Sequence, residues 1–116
     1  MNRKEKNMNI LNINKESFEK EIGSFGGTVL IDFYSPDCAP CRTMNPVIES
    51  VADKAGNEIK VCKINVREEK DLAEKFGIMS IPTLVVMKNG EVVNRSIGVT
   101  GKKAVVDMLN QQNNQF

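Results

Sequence analysis

Between Gly26-Gly27 and two closely spaced cysteines runs Thr28–Ser35, TVLIDFYS, rich in β-branched and aromatic residues and almost wholly apolar. A strand of that kind has no polar face to give to water. It reads as a central strand covered on both faces, as in a parallel sheet. The segments around it fit that frame. Asn9–Ile13 is a short apolar stretch, read as an edge strand. Asn14 can cap a helix from Lys15 to about Gly23, with Phe18 and Ile22 at i,i+4 on one face. After the central strand comes a long helix, from about Cys38 to Ala55, interrupted by Pro46 and stopped by Gly56-Asn57.

Glu58–Asn65 is the next strand. Arg67–Phe76 is a charged helix with Leu72 and Phe76 inward and Gly77 at its end. Thr83–Lys88 and Glu91–Ile97 are strands joined by Asn89-Gly90, the strongest short-range hairpin signal, and Gly98 breaks the second. Thr100 is placed to cap a last helix with the apolar face Ala104, Val105, Met108 and Leu109. The order β-α-β-α-β-α-β-β-α implies an α/β fold of three layers. Its central mixed sheet has parallel strands with right-handed crossovers, then a C-terminal antiparallel hairpin, and helices cover both faces.

The chain has 116 residues, which suits one domain spanning 1–116 with a single substantial core. Residues 1–8 read as a polar tail, and the Asn/Gln-rich residues 111–116 are expected to fray. A net charge of +1, with no basic stripe, argues against nucleic acid. No apolar run is long enough to span a bilayer, so no membrane partner is expected. The start, Met1 to Asn9, lacks the apolar segment of a secretory signal, and a cytoplasmic monomer is the expectation. Three cysteines are too few and odd in number for a secreted disulfide scaffold. In a reducing compartment paired thiols tend to be catalytic or metal-binding. The chain has no histidine, which removes Cys–His catalysis and Cys₂His₂ zinc sites together.

Cys38-Ala39-Pro40-Cys41 stands where the buried strand hands over to a helix. Cysteines at i and i+3 share a helical face and need only modest closure to bond. So short a ring constrains the unfolded chain little, so its value lies in being made and broken. Free N–H groups and partial positive charge at a helix start favour a thiolate. Cys38 is therefore the better nucleophile, and Cys41, one turn in, suits a resolving role. Pro40 in the first turn loses no helical hydrogen bond. A zinc site would need four ligands, and only Cys62 remains, on a strand among apolar neighbours. No metal is expected.

Several separated motifs carry a resemblance. IDFYSPDCAPCRTMNP resembles the thioredoxin signature, FGIMSIPTL the cis-proline loop of that family, and KNGEVVNRSIG its last hairpin. The likeness runs from about Asn9 to Asn110 and implies a thioredoxin-like fold and a protein-disulfide reductase. The chain would need no cofactor of its own. Its partners would be disulfide-bearing client proteins and a flavin-dependent thioredoxin reductase fed by NADPH or ferredoxin. Asp32 would be the buried acid that moves a proton for the resolving thiol, a role suited to a carboxyl whose pKa burial has raised. Lys63 matches the lysine the family keeps near that acid; read alone, it is equally an exposed strand lysine. The resemblance makes the Ile81-Pro82 bond cis. It also places Met79, Ile81, Ile97, Gly98 and Val99 at the rim of a client groove, with core packing as the plain alternative. Asp37, Ala39 and Pro40 would face the client from the active-site turn.

The chain departs from the family at Asp37, where tryptophan is usual, and at Ala39, where glycine is usual; Tyr34 also replaces a common tryptophan. Asp37 is expected to cap the helix and to make the Cys38 thiolate less favourable than a tryptophan would. Two rivals remain: an oxidase or isomerase running the reaction in the opposite direction, and a binding module that uses the fold without the chemistry.

Overall fold

The computed structural model describes residues 9–113. The expected tail at residues 1–8 lies outside them, as do residues 114–116 of the expected C-terminal tail. In chain order the elements are β1 (Ile10–Asn12), α1 (Lys15–Phe18), β2 (Thr28–Tyr34), α2 (Ala39–Lys54), β3 (Ile59–Asn65), α3 (Lys70–Lys75), β4 (Thr83–Lys88), β5 (Glu91–Ile97) and α4 (Lys102–Asn113). The five strands form one sheet in the order β1-β3-β2-β4-β5. β1 and β2 flank β3 in parallel, while β4 is antiparallel to both β2 and β5. β2 is thus the middle strand, and six of its seven residues are buried.

The strand pleat sorts the core into two layers. Val29, Ile31 and Phe33 of β2 point to one side, with Cys62 and Ile64 of β3 and Val85 and Met87 of β4. There they meet Phe18, Ile22, Leu72 and Phe76 from the α1 and α3 segments. Leu30, Val61, Leu84 and Val86 point to the other side and meet Met44, Ile48 and Val51 of α2 and Val105, Met108 and Leu109 of α4. Helices therefore cover both faces, as the apolar run at β2 requires.

Local chemistry explains where the elements stop. Asn14 caps α1: its Oδ1 accepts from the Ser17 N–H at 2.8 Å, and Ser17 Oγ accepts from the Asn14 N–H at 3.1 Å. The helix then widens into a π-helical turn over Glu19–Gly23. Asn89 and Gly90 both take positive φ, 54° and 81°, as a two-residue I′ hairpin turn demands. Pro46 lies inside α2, which runs through it to Lys54.

Four sequence expectations are corrected. α3 begins at Lys70 rather than Arg67, because Asn65 holds the preceding segment in a turn. Its Oδ1 accepts from the Arg67 N–H at 2.9 Å, and its carbonyl accepts from the Glu69 N–H at 2.9 Å. Thr100 is not the cap of α4. The first helical bond runs from the Val105 N–H to the Gly101 carbonyl, and the Thr100 N–H turns to Met44 Sδ at 3.3 Å. Ala104 faces water, and Val106 joins the edge of the α2–α4 core instead. Finally, the helix continues to Asn113, so residues 111–113 are helical rather than frayed.

Candidate active site

β2 delivers the active-site turn at its C-terminal end, the end at which open α/β sheets hold their ligands. The turn closes when the Cys38 N–H donates to the Ser35 carbonyl at 3.3 Å. Cys38 is the N-cap of α2, and its Sγ accepts from the Cys41 N–H at 3.2 Å. A sulfur thus takes the part that serine or aspartate oxygens usually play at this position. Cys38 and Cys41 are joined as a disulfide, with Cα atoms 5.2 Å apart. Cys38 is half-buried, whereas Cys41 is 2% exposed. Ala39 and Pro40 between them face solvent.

Asp32 is fully buried, and neither carboxylate oxygen has a hydrogen-bond partner among the described residues. Its place in the pleat, two residues from Leu30, sends it to the α2 side of the sheet. Lys63 is its registered neighbour on β3, with Nζ 4.0 Å from Asp32 Oδ2. At that range the ammonium attracts the carboxylate but does not donate to it. Burial pushes the Asp32 pKa up to about 6, and Lys63 offsets part of the rise. Lys63 is thus no ordinary exposed strand lysine: its side chain is 17% exposed. Cys62, by contrast, sits in the core on the opposite side of the sheet, and burial raises its thiol to about 12. It is an inert packing residue.

The Ile81-Pro82 bond is cis. Phe33 pairs with Thr83, which brings Pro82 to the same end of the sheet as the Cys38 turn. Gly98, at φ 92°, donates its N–H to the Pro82 carbonyl at 2.8 Å, and Ile97 is registered with Thr83. Met79 is 95% exposed, Ile97 72% and Val99 53%, so core packing does not account for them. Ile81 and Gly98 are half-buried between.

Asp37 is not a helix cap. Its Oδ1 accepts from Ser35 Oγ at 2.5 Å, and its Oδ2 pairs with Arg67 Nη2 at 2.7 Å. The Ser35 hydrogen bond, with help from Arg67, holds its carboxyl below the usual range. Arg42 adds a second guanidinium, with Nη1 donating to the Pro36 carbonyl at 3.0 Å. The charge beside Cys38 is therefore largely balanced. Arg67→Ala is expected to expose it and to slow alkylation of reduced Cys38 by iodoacetamide at neutral pH. The pair is exposed, so the effect is about two- to threefold and shrinks in salt. An unchanged rate at low salt would show that the pair does not act on the thiol.

Ser35, Arg42 and Asn45 lie within the stretch IDFYSPDCAPCRTMNP, yet nothing in it marks them as site residues, and Arg67 lies outside it. Arg67 had a charge signal, being opposite in sign to Asp37 at the end of a neighbouring strand. Asn45 had a spacing signal, four residues after Cys41 on the same helix face.

A cysteine pair at a helix start, one residue half-exposed and the other covered, at the end of a strand that carries a buried acid with no hydrogen-bond partner among the described residues, defines a dithiol–disulfide oxidoreductase. The family model described as Thioredoxin matches residues 9–111. The chain belongs to the thioredoxin family. It is similar to the thioredoxin of Bacillus subtilis (strain 168), 41% identical over 104 residues, which are 90% of this chain and 98% of that one. The thioredoxin of Porphyra purpurea is 38% identical over 104 residues, 90% of this chain and 97% of its own. Among solved structures, a mutant thioredoxin from Halobacterium salinarum NRC-1 superposes with a TM-score of 0.81 at 31% identity, over 89% of each chain.

Proposed function

We propose that the chain works as a protein-disulfide reductase, with Cys38 as nucleophile and Cys41 as resolving thiol. The observation that carries this division is the contrast between the half-buried, N–H-bonded Cys38 sulfur and the covered Cys41. The Cys38 thiolate attacks one sulfur of a client disulfide, and the client's other sulfur leaves as a thiolate. Asp32 takes the proton of Cys41, whose thiolate then attacks the Cys38 sulfur. The client leaves fully reduced, and its two electrons have come from the Cys38–Cys41 pair. A thioredoxin reductase returns the pair to the dithiol, using a flavin fed by NADPH or ferredoxin.

The exposed apolar residues Met79 and Ile97, beside the Pro82 and Gly98 backbone, suit an extended client segment laid along that edge. Ile81, Asp37, Ala39 and Pro40 complete the client-facing surface, and Lys63 supports Asp32. We read the whole of 1–116 as one such domain, acting as a monomer. No helix among the described residues is long and apolar enough to cross a membrane. Three cysteines, one of them a free core thiol, fit a reducing compartment such as the cytoplasm.

The test is the reduction potential of the Cys38–Cys41 couple, equilibrated in defined thiol buffers with trapped thiols counted. A value at or below about −220 mV is expected, low enough to reduce clients against the glutathione pool. A value well above it would make the protein an oxidant or isomerase. The absence of a reversible couple would leave a binding module.

A further inference from the structure

Asn45 projects from α2 toward the sheet, and its Oδ1 accepts a hydrogen bond from Lys63 Nζ at 2.9 Å. The same ammonium lies over the Tyr34 ring, 4.3 Å from its centroid. Asp32, whose oxygens have no hydrogen-bond partner among the described residues, stands at 4.0 Å from the ammonium, beyond hydrogen-bond reach. A lysine head on a flexible four-carbon stem has the freedom to close on such a carboxylate. The attraction between opposite charges in a buried setting favours that closure. Here the amide oxygen and the ring face hold the ammonium to one side.

The surroundings leave few other charges to act on Asp32. Across the sheet β4 presents Leu84, and α4 packs Val105, Met108 and Leu109 into the same layer. From α2 come Met44, Ile48, the disulfide-bonded Cys41 and the uncharged Asn45. Tyr34 lies on the same side of β2, and burial keeps its phenol protonated beyond the usual range. Lys63 is therefore the charge that matters, and its distance from Asp32 is the adjustable quantity. Asn45 is also one helical turn from Cys41 on the same face, so it links the resolving cysteine's helix to the cation of the buried acid.

We propose that Asn45 is a positioning residue, which holds the Lys63 ammonium back from Asp32 so that the buried carboxylate stays free to take a proton from the resolving thiol. This rests on the proton-accepting role proposed above for Asp32. Glu68, exposed, and Glu69, half-buried, line the same pocket as Lys63 and Tyr34. Remove the Asn45 amide, and Asp32, the registered neighbour on β2, is the buried carboxylate that Lys63 already faces at 4.0 Å. The ion pair tightens and the carboxylate holds a proton less readily.

The experiment is a ¹³Cγ NMR titration of Asp32 in the reduced full chain, for the parent, Asn45→Ala, Lys63→Met and the double variant. In Asn45→Ala the Asp32 midpoint is expected to fall by about one pH unit. In the Lys63→Met background the same substitution should leave it unmoved. A midpoint that stays or rises in Asn45→Ala overturns the proposal, as does an equal shift in both backgrounds, which would reveal a merely structural role. The resolving rate of Asp32→Asn is measured alongside. If it equals the parent's, the proton role of Asp32 falls, while the titration still decides whether Asn45 places Lys63.

Discussion

Asp32→Leu is expected to stabilise the oxidised protein by about 3 kcal/mol at pH 7.5, and to do so at the expense of turnover. The side chain is fully buried, and its oxygens have no hydrogen-bond partners among the described residues. Its pKa stands at about 6 in the fold against an ordinary 3.8. A gap of that size corresponds to about 3 kcal/mol of preference for the neutral form, at about 1.4 kcal/mol per pH unit. The sign follows from proton binding. Between roughly pH 4 and pH 6 the folded chain binds more protons at this site than the unfolded one, so stability falls as pH rises through that window. Below it the carboxyl is neutral in both states and the charge penalty is absent, leaving only the smaller cost of a buried polar group without a hydrogen-bond partner. Leucine removes the charge penalty at every pH, so its advantage is large at pH 7.5 and much smaller at pH 4. Guanidinium unfolding at the two pH values reads this directly. An equal gain at both would place the effect in packing rather than charge. Loss of the base should slow the resolving step by about 10²-fold, within the usual span for general base catalysis.

Cys41→Ser should convert a transient species into a stable one. Cys38 keeps its place at the helix start, with the residue 41 N–H still aimed at its sulfur. Attack on a client disulfide therefore proceeds, but no thiolate is present to release the mixed disulfide. Incubation with a disulfide-bearing protein, followed by non-reducing electrophoresis, should show a covalent adduct that dithiothreitol dissolves. Cys38→Ser should give none, and catalytic reduction should be lost in both. An adduct formed by Cys38→Ser and absent from Cys41→Ser would reverse the assigned roles.

The fold was largely legible because its signals are local and redundant. The apolar run at Thr28–Tyr34 required cover on both faces, and Asn89-Gly90 set a hairpin whose strands match their expected bounds. What escaped was decided by competition between close alternatives. Asn65 captured the N–H groups that would have begun α3 early, and Gly101 displaced Thr100 as the start of α4. Ala104 faces water rather than joining the helix face that packs. In the candidate site, the pairing of Cys38 with Cys41 and the burial of Asp32 were legible, because there residue chemistry and chain position coincide. Contacts from distant segments were not. That Asp37 would choose Ser35 and Arg67 over the helix start is a tertiary outcome, as is the hold of Asn45 on Lys63.

The disulfide joins residues only three apart, with Cα atoms 5.2 Å from each other, a separation an ordinary helical turn already supplies. Little backbone movement is then needed to open or close the bond, so the start of α2 can stay wound in either state. A difference between the two states would then be local, carried by the sulfur atoms and their immediate neighbours.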